Sequence, residues 1–93
     1  MIWAILLPKV GNMTKIKSLE HLQKLADNNC IICTVISNYG MERNEQITYW
    51  PQDDSYIVYH EINEEEEEFK NTEEFKKSSV FEALGNGVLY KYE

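Results

Sequence analysis

The stretch CIICTVIS, residues 30–37, decides the fold predicted for this chain of 93 residues. If this stretch is a strand, apolar β-branched side chains lie on both of its faces; they are Ile31, Ile32, Val35 and Ile36. Such residues favour strands, and apolar side chains on both faces indicate a position inside a sheet. We therefore expect residues 30–37 to form the central strand.

An amphipathic helix is predicted immediately before this strand. Ser18 is a suitable N-cap, and Asn28 and Asn29 suit a helix end. Between them, apolar residues recur at helical spacing: Leu19, Leu22, Leu25 and Ala26. The pattern predicts a helix of about three turns.

The first residues of the chain have two interpretations. Residues 2–7 are apolar throughout and favour a short strand that ends at Pro8, whose nitrogen cannot donate to a sheet. Alternatively, Met13 opens a sequence typical of a protein start, and residues 1–12 are then a dispensable leader. The apolar run is shorter than the roughly 20 residues that span a bilayer and lacks the features of a signal peptide. With two cysteines and no secretion signal, the expected location is the cytoplasm of the host cell.

Strands and turns alternate after the central strand. Residues 38–45 are polar and indicate a loop, and residues 46–50 indicate the next strand. The turn-forming residues 51–55 predict a hairpin to a strand over residues 56–62. The acidic segment that follows, residues 63–71, is predicted to be a loop.

Two helix starts and a last strand are predicted near the end of the chain. Thr72 is a candidate N-cap for a short helix. Ser79, with Glu82 three residues later, fits a capping box and predicts a second helix that ends before Gly85. Residues 88–92 alternate weakly and close the chain as a strand.

These elements define one α+β domain over residues 1–93. The order is β-α-β-β-β-α-β, which predicts an antiparallel-rich sheet with helices packed on one face. The length fits a single core, and the hydrophobic content of 43% is too high for a disordered chain.

Acidic charge is concentrated in the second half of the chain. Residues 1–52 have a net charge of +1, whereas residues 53–93 carry 12 acidic and 4 basic residues, a net charge of −8. Five of these acids are consecutive, Glu64 to Glu68. Phosphates repel such a chain, so direct nucleic-acid binding is not expected, and its natural complement is a protein with a basic groove. A charge run is also typical of a solvated loop that maintains solubility, and this alternative stays open.

The candidate partner-binding residues are the carboxylates of this acidic half and one aromatic residue near the hairpin turn. Aromatic residues dominate interface hot spots, which favours a tryptophan as an exposed anchor. Calcium is disfavoured because consecutive glutamates lack the alternating ligands of a calcium loop. The candidates are Trp50, Asp53, Asp54, Glu64, Glu65, Glu66, Glu67, Glu68, Glu73 and Glu74.

No catalytic, metal or cofactor motif is found in the sequence. Cys30 and Cys33 form a C-x-x-C, but strand positions three apart face opposite sides about 10 Å apart. Two buried structural cysteines are therefore expected, with neither zinc nor a disulfide. His21 has no partner at metal-ligand spacing, and His60 beside Glu61 would act as acid and base only if further groups converged there. We expect a non-enzymatic protein without a cofactor.

A very small, acidic, single-domain chain of this kind resembles the anti-CRISPR and anti-restriction inhibitors that phages and mobile elements encode. The resemblance lies in size, charge and the placement of charge in the C-terminal part. It implies an inhibitor that binds an effector, first of all an RNA-guided nuclease, and blocks guide or target nucleic acid as a nucleic-acid mimic. The alternative is a small accessory or structural interaction module whose acidic run only gives solubility.

Overall fold

Six strands and three short helices make up residues 13–93, the part of the chain that the computed structural model describes. The helices are α1 (Leu19–Leu25), α2 (Thr72–Phe75) and α3 (Ser79–Gly85). The strands are β1 (Met13–Lys15), β2 (Ile31–Ile36), β3 (Glu42–Trp50), β4 (Ser55–His60), β5 (Glu65–Phe69) and β6 (Leu89–Tyr92). The predicted α+β class is confirmed. The strand predicted over residues 2–7 and the alternative leader 1–12 lie outside the described residues.

The strands form one sheet in the order β1-β6-β2-β3-β4-β5. All neighbouring strands are antiparallel. Strand β2 pairs with β3 on one side and with β6 on the other, so the CIICTVIS stretch forms an interior strand as predicted. Strands β1 and β5 are the two edges of the sheet.

One face of the sheet, the helix face, packs against the helices and forms the core. Alternate residues of β2 are buried there, because successive side chains of a strand point to opposite faces. Helix α1 begins where predicted, since the Ser18 hydroxyl accepts a hydrogen bond from the His21 N–H at 3.1 Å. The core residues include Ile31, Cys33, Val35, Ile47 and Val58 from the sheet and Leu22, Phe75, Val80 and Ala83 from the helices.

An aromatic cluster fixes α2 to β4 and β5. The ring of Phe75 stacks on that of Tyr56, with centroids 4.0 Å apart, and meets Phe69 edge-on at 5.5 Å. The Tyr56 hydroxyl accepts a hydrogen bond from Gln23 of α1 at 2.7 Å. Each such ring pair contributes about 0.5–1.5 kcal/mol beyond its buried area. Phe75 is thus the one buried residue of this four-residue helix and packs it against the sheet.

The opposite face, the open face, is not covered by α1, α2 or α3. By register, its side chains include Ile32, Gln46, Thr48, Ile57 and Tyr59. Ile32 is 47% exposed, although it lies on an interior strand. The sheet is thus apolar on its helix face and mixed on its open face.

Two segments predicted to be loops are in part strands. Strand β3 begins at Glu42, so residues 42–45 of the predicted loop 38–45 pair with β2 instead. The acidic segment 63–71 contains strand β5, which pairs with β4 over its whole length. Backbone hydrogen bonds to the neighbouring strand outweigh the low strand propensity of the polar residues. The buried ring of Phe69 anchors the end of β5.

The caps of the last two helices lie at different residues from those predicted. Asn71, not Thr72, caps α2, and Ser78, not Ser79, caps α3 by accepting a hydrogen bond from the Phe81 N–H at 3.1 Å. Gly85 is the last residue of α3, and Gly87 has the positive φ of 72° that glycine favours after a helix. In both cases the cap is the residue immediately before the predicted one, and both residues of each pair are suitable caps by type.

Only one of the two cysteines is buried, which corrects the prediction for Cys30. Cys33 is fully buried on the helix face, and burial raises the pKa of its thiol to about 12. Cys30 is exposed, because it precedes β2 at the periphery of the sheet, and its Sγ lies 3.7 Å from Gln46 Oε1. Both thiols are free.

Candidate protein-binding edge

Strand β5 places most of the acidic run along one edge of the sheet. Glu64 ends the β4–β5 turn with a φ of 54°, and the strand then pairs from Glu65 opposite His60 to Phe69 opposite Tyr56. Because side chains alternate, Glu65 and Glu67 lie on the helix face and Glu66 and Glu68 on the open face. The sequence predicted the carboxylates as a group, and the structure arranges them on both sides of a single strand.

The carboxylates of this edge are exposed and mostly unpaired. Glu64 to Glu68 are all exposed, and within residues 13–93 the ion pairs of this run involve only Glu67. An antiparallel strand advances about 3.4 Å per residue, and one strand of duplex DNA carries one phosphate charge per about 3.4 Å of axis. The spacing of consecutive glutamates along β5 is thus close to the phosphate spacing of one nucleic-acid strand, with Glu67 the one member that is ion-paired within residues 13–93.

A buried carboxylate and a histidine support β5 from the helix face. Glu45 of β3 has no exposed surface, and both of its oxygens lie 2.9 Å from His60 Nδ1. His60 Nε2 lies 2.8 Å from Glu67 Oε1. Both carboxylates are acceptors. Protonated His60 donates from both ring nitrogens and can therefore bond to both carboxylates, whereas neutral His60 has only one donor. The three side chains tie β3, β4 and β5 together.

The environment of His60 favours its charged form. Burial lowers the pKa of His60, but the hydrogen bonds and charges of Glu67 and Glu45 outweigh burial, so its pKa is raised above 6.5. Arg43 places a second positive charge beside the buried carboxylate, with its Nε 3.4 Å from Glu45 Oε1.

Sequence reasoning connected His60 with Glu61 and missed its actual partners. Glu61 instead accepts a hydrogen bond from Gln46 at 3.1 Å. The sequence contained one signal for these partners. Residues two apart in a strand share a face, and Glu45 lies two residues before the buried Ile47. In the same way, His60 lies two residues after the buried Val58. A charged residue at such a position requires a partner, because an unpaired buried charge is costly.

Asp54, one of the predicted partner-binding residues, is used inside the fold. Its carboxylate accepts hydrogen bonds from the Thr72 hydroxyl at 2.7 Å, the Thr72 N–H at 3.1 Å and the Tyr49 hydroxyl at 3.0 Å. The hydrogen bonds from Thr72 hold the pKa of Asp54 below its ordinary value of 3.8. This carboxylate therefore joins the β3–β4 turn to α2 and is not free to contact a partner.

The other predicted residues continue the acidic edge beyond β5. Glu73 and Glu74 lie in the first turn of α2, where Glu74 accepts a hydrogen bond from the Lys70 N–H at 3.1 Å and Glu73 pairs with Lys76 at 3.6 Å. Asp53 is exposed in the β3–β4 turn. Trp50, 37% exposed, lies at the end of β3 on the open face, away from the Glu64 end of the acidic run.

No metal centre accompanies these groups in the part of the chain that the structure describes. Residues 13–93 contain no set of three or more His, Cys, Asp or Glu side chains placed to hold a metal ion. In the Glu45–His60–Glu67 group, the imidazole lies between the carboxylates and hydrogen-bonds to both. The ligands therefore do not converge on a common point.

Comparisons of the sequence with family models and with curated proteins, and of the structure with solved structures, found no match. In residues 13–93, no helix has the length and apolar character needed to cross a membrane.

Proposed function

We propose that this protein is a non-enzymatic inhibitor that binds a basic groove of a nucleic-acid-handling effector. An RNA-guided nuclease of a CRISPR system is the first candidate. One observation carries the proposal: the carboxylates of Glu64 to Glu68 follow a sheet edge at about the charge spacing of a nucleic-acid strand. A groove that binds guide or target nucleic acid accepts negative charge at this spacing.

The placement of the charges also supports binding by a partner over solubility alone. Solubilising charges are typically dispersed and of both signs. Here Lys70 is the first basic residue after five consecutive glutamates, and the row stands on an ordered strand. A rigid array loses less conformational entropy on binding than a flexible loop.

The test is inhibition of purified RNA-guided nucleases by three proteins. They are the native chain, the edge variant Glu65→Gln, Glu66→Gln, Glu68→Gln, and a control variant Glu20→Gln, Asp27→Asn, Glu82→Gln. The edge variant leaves Glu67, the partner of His60, unchanged. Both variants remove three negative charges from exposed residues, so a difference between them reports position and not net charge.

We expect the edge variant to lose about tenfold or more in potency, mainly through slower association and with a flatter salt dependence. The control should stay within about twofold of the native chain, because dispersed surface charges contribute little. Equal potency and equal salt response of the native chain and the edge variant would refute the proposal, as would failure to inhibit or bind any such enzyme. Affinity capture from cells that express candidate nucleases, followed by mass spectrometry, identifies the target.

A further inference from the structure

One hydrogen bond to β3 shows which backbone groups of β4 point to β3 and which point to β5. The Glu61 N–H donates to the Asn44 carbonyl at 3.3 Å. In an antiparallel ladder, the backbone groups of successive residues point alternately to one side and to the other. The backbone groups of Tyr59 and Ile57 therefore also point to β3, and those of the intervening residues of β4 point to β5.

The same alternation fixes which residues of β5 do not bond to β4. Residues opposite the β5-facing positions of β4 are Glu65, Glu67 and Phe69, so these form the ladder with β4. The N–H and C=O groups of Glu66 and Glu68 then point away from the sheet. The Lys70 N–H, two residues after Glu68, is consistent with this alternation, because it donates away from β4 to the Glu74 side chain at 3.1 Å.

Among the strands of residues 13–93, none pairs with this side of β5, and an unpaired edge is a template for another strand. Directly opposed residues of neighbouring strands share a face, so a residue paired with Glu66 would lie on the open face. There, next to Glu66, is a shallow groove of about 360 Å³, lined by Cys30, Gln46, Thr48, Ile57, Tyr59 and Glu66. Its floor suits the aliphatic stem of a lysine or arginine, with the charged end beside a carboxylate.

Charge decides which strand can occupy the edge. Two copies of β5 paired edge to edge would place glutamates beside glutamates, and like charges in opposed positions are destabilising. A strand with lysine or arginine opposite Glu65 to Glu68 would instead gain an opposite-charge pair on each face. The row of carboxylates thus disfavours a second copy and favours a basic partner.

We propose that β5 binds an extended, Lys- and Arg-rich segment of the partner protein as a seventh strand of the sheet, through the backbones of Glu66 and Glu68. This inference rests on the proposed function, since it specifies how the basic partner is held. It requires hydrogen bonds between the partner and the backbone groups of Glu66 and Glu68, which charge attraction alone does not require.

The probe is a capped peptide with the sequence Val-Thr-Lys-Arg-Lys-Arg-Thr-Val, and its control is the same peptide with alternate backbone nitrogens methylated. Methylation keeps every charge but removes strand donors. The protein variants are Glu66→Pro, which lacks the outward N–H, and Glu66→Gln, which keeps it. Proline is tolerated where the N–H of an edge strand faces solvent, so the β4–β5 ladder should persist.

We expect hydrogen exchange at the Glu66 and Glu68 amides to slow about tenfold or more in saturating peptide, with little change at Glu65 and Glu67. The methylated peptide should bind the native protein at least about tenfold more weakly than the unmethylated peptide does. The Glu66→Pro variant should bind the unmethylated peptide at least about tenfold more weakly than the Glu66→Gln variant does. Unchanged exchange at Glu66 and Glu68 in the native complex overturns the inference even if Glu66→Pro fails to fold.

The outcomes separate this inference from the proposed function. If the three-glutamine edge variant loses nuclease inhibition but the backbone changes have no effect, the carboxylates act by charge alone and strand addition is wrong. If a basic peptide adds to β5 but no nuclease is inhibited, the proposed function is wrong. Formation of a homodimer through β5 at neutral pH would show that the edge belongs to a second copy and would also overturn the inference.

Discussion

Glu45 and His60 are the residues on which the inner support of the acidic edge depends. Glu45 is fully buried, and His60 lies between it and the exposed Glu67. Removing a carboxylate from water costs several kcal/mol unless a close partner offsets it. Protonated His60, together with Arg43, provides that partner, so the charge state of one imidazole influences how firmly β5 is held.

The free energy of unfolding is expected to fall as pH rises above 6.5, the ordinary pKa of histidine. The pKa of His60 is raised in the folded state, so its contribution is complete below the ordinary value of 6.5 and is lost as pH rises through the folded value. Urea unfolding at several pH values measures this.

The matched variant for this experiment is His60→Gln, which retains a donor for Glu45 but cannot titrate. It should be less stable than the native chain below pH 6.5 and should lack the decrease in stability above that pH. The same pH slope in both proteins would show that His60 does not cause it.

At the scale of elements, α2 is held in place by a turn that is distant in sequence. Asp54, with a φ of 53°, accepts three hydrogen bonds that join the β3–β4 turn to Thr72 and Tyr49. The stack of Phe75 on Tyr56 completes the attachment. The end of β5 and the start of α2 are therefore positioned by contacts with the β3–β4 hairpin.

Asp54→Ala should destabilise the fold by about 2 kcal/mol, because it leaves the Thr72 donors without their acceptor and places alanine at a positive φ. Asp54→Gly should recover about 1 kcal/mol of that loss, since glycine accepts the backbone conformation. Asp53→Ala, at the exposed neighbouring position, is the control and should stay within about 0.5 kcal/mol. Urea unfolding followed by circular dichroism measures all three, and an Asp54→Ala variant as stable as the Asp53→Ala control would contradict the assigned role.

At the scale of the whole molecule, the net charge of −7 and the carboxylates of β5 oppose self-association. The open face exposes Ile32 and part of Trp50, and β5 has backbone groups that no other strand of residues 13–93 uses, so both means of association are present. Repulsion between the edges of two copies is what counteracts them.

Self-association is therefore expected to increase as pH falls toward the isoelectric point of about 4.8, because the net negative charge of the molecule, and with it the repulsion between copies, decreases. Sedimentation velocity over a range of protein concentrations at neutral and acidic pH measures this. The Glu66→Pro variant, whose edge cannot complete a ladder, should stay monomeric under both conditions. Equal association of the variant and the native chain at acidic pH would show that contacts other than β5 are responsible.

The sequence by itself determined the features that depend on neighbouring residues and on composition. The β-branched run of residues 31–36 predicted an interior strand, Ser18 predicted the start of α1, and the uneven charge predicted an acidic surface in the C-terminal part. These signals are local, since β-branched shape, capping hydrogen bonds and charge act within a few residues along the chain.

Tertiary structure alone decided the remaining features. Residues 65–69 have little strand propensity, and they form β5 because β4 supplies a ladder of hydrogen bonds. Glu45, His60 and Glu67 meet only when three strands are paired in one register, and Asp54 turns inward only because α2 returns to the β3–β4 turn. Strand pairing joins residues that are far apart in the chain, and no local pattern encodes which of them will be opposed.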